Sequence, residues 1–155
     1  MTKLLLSLHV LAAVLAIGPV TVAASLFPRA LRRIEADPGD HEAFLTLRML
    51  HHICRVYAAV GIAVPVFGFA TASSLGVLGS GWLIASILLT TAAAAILALL
   101  ILPAQDNALA VAQTPGLDLG SRSAGRLAML TGVFNLLWAT VTVLMIIRPG
   151  STAGA

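Results

Sequence analysis

Four long apolar stretches alternate with short polar segments along the chain. A helix needs about 20 mostly apolar residues to cross the hydrocarbon core of a bilayer. The stretches that satisfy this requirement are residues 4–26, 49–72, 82–102 and 127–147. A cleaved signal peptide is the alternative for the first stretch, although its apolar run is longer than such a peptide needs. The pattern predicts an all-α polytopic membrane protein, in which residues 1–155 form one domain built on a bundle of four transmembrane helices.

Prolines and charged residues are expected to end three of these spans. Pro28 and Arg29 follow the first span, Pro103 follows the third, and Arg148 follows the fourth. Proline lacks the N–H that continues a helix, and a charged side chain avoids hydrocarbon. The sequence therefore predicts helix ends close to these four residues.

Three other positions predict where helices extend or bend. Asp40 is a favourable N-cap residue, so the second helix is predicted to begin there, ahead of its span. Pro19 and Pro65 lie inside the first and second spans. Neighbouring helices can satisfy the carbonyl groups that these prolines leave without donors, so we expect kinks rather than breaks.

The composition indicates that the surface of the protein faces lipid rather than water. Hydrophobic residues make up 59% of the chain and charged residues only 10%, whereas about a quarter of a typical soluble domain is charged. No basic stripe with interleaved aromatic residues is present, which argues against a nucleic-acid partner. The excess of arginine over lysine and the abundance of alanine are typical of a GC-rich genome, and we expect a multi-pass protein of a bacterial cytoplasmic (inner) membrane.

Basic residues predict the orientation in the bilayer. The connections between spans one and two and between spans three and four, with their edges, hold six arginines, whereas the opposite side holds only Lys3 and Arg148. The side richer in basic residues faces the cytoplasm, so both termini are predicted to lie outside. The six acidic residues fall on the same predicted cytoplasmic side, where they can form ion pairs: Glu35, Asp37, Asp40, Glu42, Asp106 and Asp118.

His9 is the most informative ionisable residue because it lies inside the first span. At the rise of an α-helix it is roughly 8 Å from the outer end. Three interpretations follow: a neutral imidazole that hydrogen-bonds to a neighbouring helix, an axial ligand of haem b, or a group that handles protons. His52 begins the second span at the other surface, about 20 Å away along the normal, so we do not expect both histidines to hold one iron.

A basic cluster opens the second span. Arg48, His51, His52 and Arg55 are spaced by three and four residues, so we expect them to share one helix face. Such a face can reach lipid head groups or acidic loop residues. Arg55 lies deepest and is predicted to bond a backbone carbonyl, an acid such as Asp106, or a partner chain.

Polar and small residues inside the spans predict contacts between helices. Asn135 is near the middle of the fourth span, where an amide usually hydrogen-bonds across helices. Gly61 and Gly68 are seven residues apart, as are Gly125 and Gly132. Small residues at this spacing allow close helix approach.

Two segments carry a resemblance to known proteins. They are Leu8-His9-Val10 with the run to Gly18-Pro19, and Leu136-Leu137-Trp138 with the run to Arg148-Pro149. With the basic start of span two, they resemble a family of small bacterial membrane proteins that is distantly similar to the CopD copper-resistance domain and to HemJ-type protoporphyrinogen oxidase. HemJ-type enzymes imply haem binding through a first-span histidine, which His9 matches. They also imply a lysine in the third span, where residues 82–102 of this chain have no charged residue.

These observations favour a non-catalytic accessory or structural subunit of a larger membrane complex. No catalytic motif and no metal-ligand spacing appears in the sequence. The expected partners are the bilayer and either other membrane subunits or further copies of the chain, with no cofactor. The alternative is a haem-associated redox protein of the HemJ-like sort that uses His9. A role in metal handling by analogy with CopD lacks the clusters of Met and His that copper requires.

Overall fold

The computed structural model describes residues 2–114 and 122–150, and these residues form helices joined by short turns. The helices are α1 (Thr2–Ala36), α2 (His41–Val60), α3 (Ala63–Leu75), α4 (Gly81–Ala95), α5 (Leu102–Ala112) and α6 (Ser123–Ile147), and a π-helical segment, Ile96–Ile101, joins α4 to α5. Four helical units are long and apolar enough to cross a membrane, namely residues 2–36, 41–75, 81–112 and 123–147. The predicted all-α bundle of four membrane helices is confirmed. Asp118 lies outside the described residues, and the orientation with both termini outside stays a prediction.

The first helix does not end at Pro28, as its sequence predicts, but continues to Ala36. Proline at this position deprives the carbonyl of Ala24, four residues earlier, of its helical donor. The hydroxyl of Thr131 on α6 donates to that carbonyl at 3.4 Å. A side chain from a neighbouring helix thus replaces the missing N–H, and α1 passes through the proline.

Pro103 does not end the third membrane helix either, because α5 continues to Ala112. The π-helical segment Ile96–Ile101 lies directly before it, and the N–H of Leu102 bonds the carbonyl of Leu97, five residues back. This wider turn takes up the distortion that proline imposes on a helix. The predicted ends at Pro28 and Pro103 are therefore both wrong.

The helix of the second span is interrupted at Gly61 and Ile62, just before Pro65. The carbonyl of Gly61 would normally bond the residue at 65, which has no N–H, and it accepts instead from the N–H of Val64 at 3.1 Å. The backbone angles of Gly61 and Ile62 stay in the right-handed helical region. We call this two-residue interruption of the α-helical hydrogen bonds between α2 and α3 the Pro65 kink, and the bend predicted there stays a prediction.

Asp40 caps α2 as predicted. Its carboxylate accepts a hydrogen bond from the N–H of Ala43 at 2.9 Å, and the guanidinium of Arg33 lies 2.9 Å from it. The Ala43 N–H and the Arg33 charge together lower the pKa of the Asp40 carboxyl. The cap and the ion pair fix the short turn between α1 and α2.

The hydrophobic core is concentrated at one end of the bundle. We call the end with the α1–α2 turn the loop end, and the end with the start of α1 and the α3–α4 turn the terminal end. The main cluster, around the fully buried Phe27, Leu31 and Leu47, lies toward the loop end. A smaller cluster around Trp82 lies at the terminal end, where Arg148 stacks on the indole ring at 5.7 Å.

Candidate functional site

A buried polar cluster joins α2 to α5 at the loop end. Nδ1 of His51 lies 3.0 Å from Oε1 of Gln105, and Nε2 lies 2.9 Å from Oδ1 of Asp106. The second contact is an ion-pair approach in which the oxygen lies off the N–H axis, because Nε2 makes no aligned hydrogen bond with the described residues. The amide nitrogen of Gln105 faces the sulfur of Cys54 at 3.7 Å.

The two groups nearest the ring nitrogens of His51 are an amide oxygen and a carboxylate oxygen, and both are hydrogen-bond acceptors. Gln105 is fully buried, and Asp106 keeps 58% of its side chain exposed. The cluster therefore places His51 between a fully buried amide and a largely exposed carboxylate.

An open groove of about 950 Å³ lies over this cluster, between α2 and α5. Arg48, His52 and Arg55 are exposed along it, and His51 forms its buried floor. All four residues line this groove, as their helical spacing predicts, but His51 is buried where the other three are exposed. The bulk of this histidine is covered because α5 continues past Pro103 and packs against α2.

Arg55 does not pair with Asp106, which was one of its three predicted partners. The carboxylate of Asp106 approaches His51 instead. Among residues 2–114 and 122–150, none forms a hydrogen bond or an ion pair with Arg48, His52 or Arg55. The groove therefore presents three cationic or ionisable side chains that no described part of the chain neutralises.

His9 is held at the terminal end by the kink in the second span. Its Nδ1 lies 2.9 Å from the carbonyl oxygen of Val64, one residue before Pro65. A carbonyl can only accept, so Nδ1 is the donor in this hydrogen bond. A Cβ on Gly68 would lie 2.8 Å from Cε1 of His9, so the ring occupies the space that this glycine leaves.

The two histidine sites are far apart. Val64, which binds His9, is 13 residues from His51 along the same membrane helix, which corresponds to about 20 Å at 1.5 Å per residue. The axial nitrogens of a single haem are only about 4 Å apart. His9 therefore cannot share an iron with His51 or His52. Within the described ranges, no three His, Cys, Asp or Glu side chains are grouped to hold a metal ion.

Asn135 hydrogen-bonds across helices, in the way expected of a mid-span amide. Its Nδ2 donates to the hydroxyl of Ser25 on α1 at 3.3 Å. Its Oδ1 and the indole N–H of Trp138 are both buried and have no hydrogen-bond partner among the described residues. The α1–α6 contact thus satisfies the amide nitrogen of Asn135 and leaves the other two polar groups without a partner among the described residues.

The two glycine pairs differ in what they contact. Gly68 receives the ring of His9, and Gly61 has Cβ of Ala16 at 3.8 Å from its own virtual Cβ. Gly125 and Gly132 on α6 have nothing within 4 Å of a Cβ. The predicted close approach is therefore made within the chain at the first pair, and the second pair faces open space.

Sequence reasoning did not single out Gln105, because Pro103 was expected to end the helix before it. A signal was present in the spacing of Leu97, Ile101 and Gln105, four residues apart, which places all three on the buried side. The role of Val64 could not be recognised from its residue type, because Val64 bonds His9 through its backbone carbonyl.

The chain belongs to the family described as "Predicted integral membrane protein (DUF2269)", whose pattern matches residues 3–149. Among curated proteins and among solved structures, none matches the chain. The family establishes an integral membrane protein in agreement with the four apolar helices.

Proposed function

We propose that this member of the DUF2269 family is a non-catalytic accessory subunit of a larger membrane complex, and that α6 is the helix that contacts the neighbouring subunit. The observation that carries the proposal is a group of small residues on the exposed surface of α6, Gly125, Ala128, Gly132 and Ala139, which lie beside the bulkier exposed side chains of Met129 and Leu136. The spacing of three, four and seven residues places the small residues on one helix face.

The membrane helices contain small residues that meet a contact and small residues that do not, with Gly18 on α1 among the latter. Gly68 accommodates a histidine ring, whereas both glycines of α6 have open space around them. Helices that face only lipid usually present bulky apolar side chains, as Leu88 and Leu99 do here with 65% and 71% exposure. Small residues let two helix backbones approach closely, and this packing drives helix association in membranes. A partner helix is therefore the natural occupant of this face.

Site-specific photocrosslinking in native membranes tests the proposal. A photoreactive phenylalanine analogue at Ala128 is expected to give one adduct with a different membrane protein. The matched control is the same analogue at Leu99, on an exposed bulky surface, which is expected to label lipid only. An adduct at Ala128 between two copies of this chain would contradict the accessory role, as would the absence of any protein adduct there.

A haem-associated redox role is the second candidate, and one observation favours it. Histidines that bind metals usually donate their other ring N–H to a carbonyl or a carboxylate. His9 does so through Nδ1 to Val64, which leaves the lone pair of Nε2 available as a ligand. The orientation of this imidazole therefore fits an axial ligand. Haem would supply one-electron transfer, while Val64 would fix the tautomer and Gly68 would leave room for the ring.

An absorption spectrum of the purified protein separates the two candidates. A non-catalytic subunit without cofactor is expected to give no Soret band. A haem protein that uses His9 should give a Soret band that is lost in His9→Ala and kept in His52→Ala, because His52 lies at the other end of the bundle. A band that survives His9→Ala would remove the case for this ligand.

A further inference from the structure

We infer that the groove between α2 and α5 is a binding site for the head group of an anionic phospholipid. This inference goes beyond an accessory role and is independent of it, since it concerns a different surface from α6. It rests on where the groove lies relative to the bilayer, on its unneutralised charge, and on its mixed lining.

The helix lengths place the groove at the edge of the hydrocarbon. A core of about 30 Å takes about 20 helical residues. The second and third membrane helices meet the terminal end at Leu75 and Gly81. Counting about 20 residues back from Leu75 reaches Arg55, and about 20 forward from Gly81 reaches Ile101. Arg55 therefore lies at the boundary, and Arg48 and His52 lie in the head-group layer.

At this depth, Arg55 does not require a hydrogen-bond partner from the protein. A guanidinium deep in hydrocarbon requires a protein partner, but one at the boundary can be satisfied by phosphate oxygens. Arg48 and Arg55 are seven residues apart, about 10 Å along the helix, with His52 between them on the groove. A phosphodiester between these side chains would be reached from both sides by guanidinium groups, which bind phosphate in a bidentate manner.

Asp106 is the one carboxylate among the described residues that line the groove, against the two guanidinium groups of Arg48 and Arg55. Its Oδ1 lies 2.9 Å from Nε2 of the buried His51. The electrostatic potential of the groove is therefore positive. Basic pockets between membrane helices on the cytoplasmic side are suited to anionic head groups.

The lining also contains apolar side chains, which distinguishes a lipid from a soluble anion. Leu45, Met49 and Val56 are exposed beside the charged residues, with 49%, 57% and 43% of their surface accessible. Val60 continues this exposed apolar surface from Val56 toward the terminal end. Acyl chains can lie along Val56 and Val60, on the hydrocarbon side of Arg55, while the phosphate stays at the arginines and the head group contacts Met49. An anionic amphiphile matches both parts of the groove.

Native mass spectrometry of the full chain in detergent, with added lipid, measures the binding directly. Phosphatidylglycerol is expected to be retained and phosphatidylcholine to be lost at the same concentration. A basic residue near an anionic group contributes roughly a fivefold change in binding. The double variant Arg48→Gln/Arg55→Gln should therefore weaken phosphatidylglycerol binding about 25-fold.

The matched control removes the same charge from the same side of the molecule. Arg29 and Arg32 are exposed on α1 and do not line the groove. Arg29→Gln/Arg32→Gln should leave phosphatidylglycerol retention within about twofold of the parent protein. Equal losses in the two double variants would overturn the inference, because binding would then follow net charge rather than the groove.

Two further measurements distinguish other occupants. Inorganic phosphate at millimolar concentration is expected not to displace phosphatidylglycerol, and full displacement would show a site for soluble anions instead. A photoreactive analogue at Met49, in native membranes, is expected to give a lipid adduct. A protein adduct at Met49 would overturn the inference and assign the groove to a partner chain, whatever the result at Ala128.

Discussion

His51 at the loop end and His9 at the terminal end are both held by a group on another membrane helix, but by different means. His51 is buried between two side chains, Gln105 and Asp106, beside the larger core. His9 is half-buried and bonds a backbone carbonyl at a proline kink, against a glycine. The first arrangement depends on the polarity of particular side chains, and the second depends on the shape of the backbone. Substitutions at the two ends should therefore lower the stability of the protein for different reasons.

The largest effect is expected from Gln105→Ala at the loop end. It leaves Nδ1 of the buried His51 without its partner and opens a cavity beside Cys54. An unpaired buried polar group costs about 1–3 kcal/mol and the cavity adds to that, so we expect a loss of roughly 3–4 kcal/mol in unfolding free energy. Denaturant unfolding in mixed micelles, followed by circular dichroism, measures the loss.

Gln113→Ala is the matched control, since Gln113 is exposed at the end of α5. It should change the unfolding free energy by less than about 0.5 kcal/mol. Similar losses at the two glutamines would show that the His51–Gln105 contact contributes nothing specific.

At the terminal end, a single methyl group should be enough to disturb the structure. The Cβ of Gly68→Ala would lie 2.8 Å from Cε1 of His9, so the ring must move away from Val64. Overpacking of this kind costs about 1–3 kcal/mol. Gly125→Ala, where a Cβ meets open space, should instead stabilise α6 by up to about 1 kcal/mol, because alanine has the higher helix propensity.

The comparison of the two glycine variants is informative because the signs are opposite. The same unfolding measurement applied to both should give a loss at Gly68 and a gain at Gly125. A gain at both positions would mean that His9 is not fixed by the kink, and the shape-based account of the terminal end would have to be abandoned.

The smallest effect is expected from the charge of Asp40, at the exposed turn of the loop end. Its pKa is lower in the folded protein than in the unfolded chain, first because of the Ala43 N–H and then because of Arg33. The ionised cap therefore stabilises the fold above the unfolded pKa, about 3.9, and this contribution is lost as pH falls through the lowered folded pKa. Thermal unfolding between pH 6 and pH 2 should show the loss.

Asp40→Asn separates this charge effect from capping itself. Asparagine caps helices about as well as aspartate but does not titrate in this range. The variant should keep α2 intact and have a shallower fall in stability at acid pH. An unchanged pH profile would place the acid sensitivity at another carboxylate.

The sequence correctly predicted the features that depend on a local pattern. Its predictions were wrong where a group distant in the chain supplies a hydrogen bond that proline removes. The four membrane helices and the Asp40 cap follow from hydrophobic runs and an N-cap residue. The continuation of α1 through Pro28 depends on Thr131, which is about a hundred residues away in sequence, so no local rule could anticipate it.

The candidate site was predicted in part for the same reason. Arg48, His52 and Arg55 were found on one face because helical spacing is local. The inward position of His51 was not found, since it requires Gln105 to lie beside it, and Gln105 was assigned to a loop. The hydrogen bond of His9 was expected to reach a neighbouring helix, and the structure identifies its partner as the backbone carbonyl of Val64.

The π-helical segment before Pro103 sets the rotational phase of everything that follows it. A π turn holds one residue more than an α turn, so it offsets the residues of α5 by about 100° from an uninterrupted α-helix. That offset directs the amide of Gln105 toward His51. Because the π turn already holds the extra residue, deleting one residue between Ile96 and Ile101 should convert it into an α turn and leave α5 in the same rotational phase, whereas inserting one more residue should turn α5 by about 100° and carry Gln105 out of the interior. In this stretch an insertion should therefore harm the protein more than a deletion, and more than a replacement of Leu99 or Leu100 by another apolar residue.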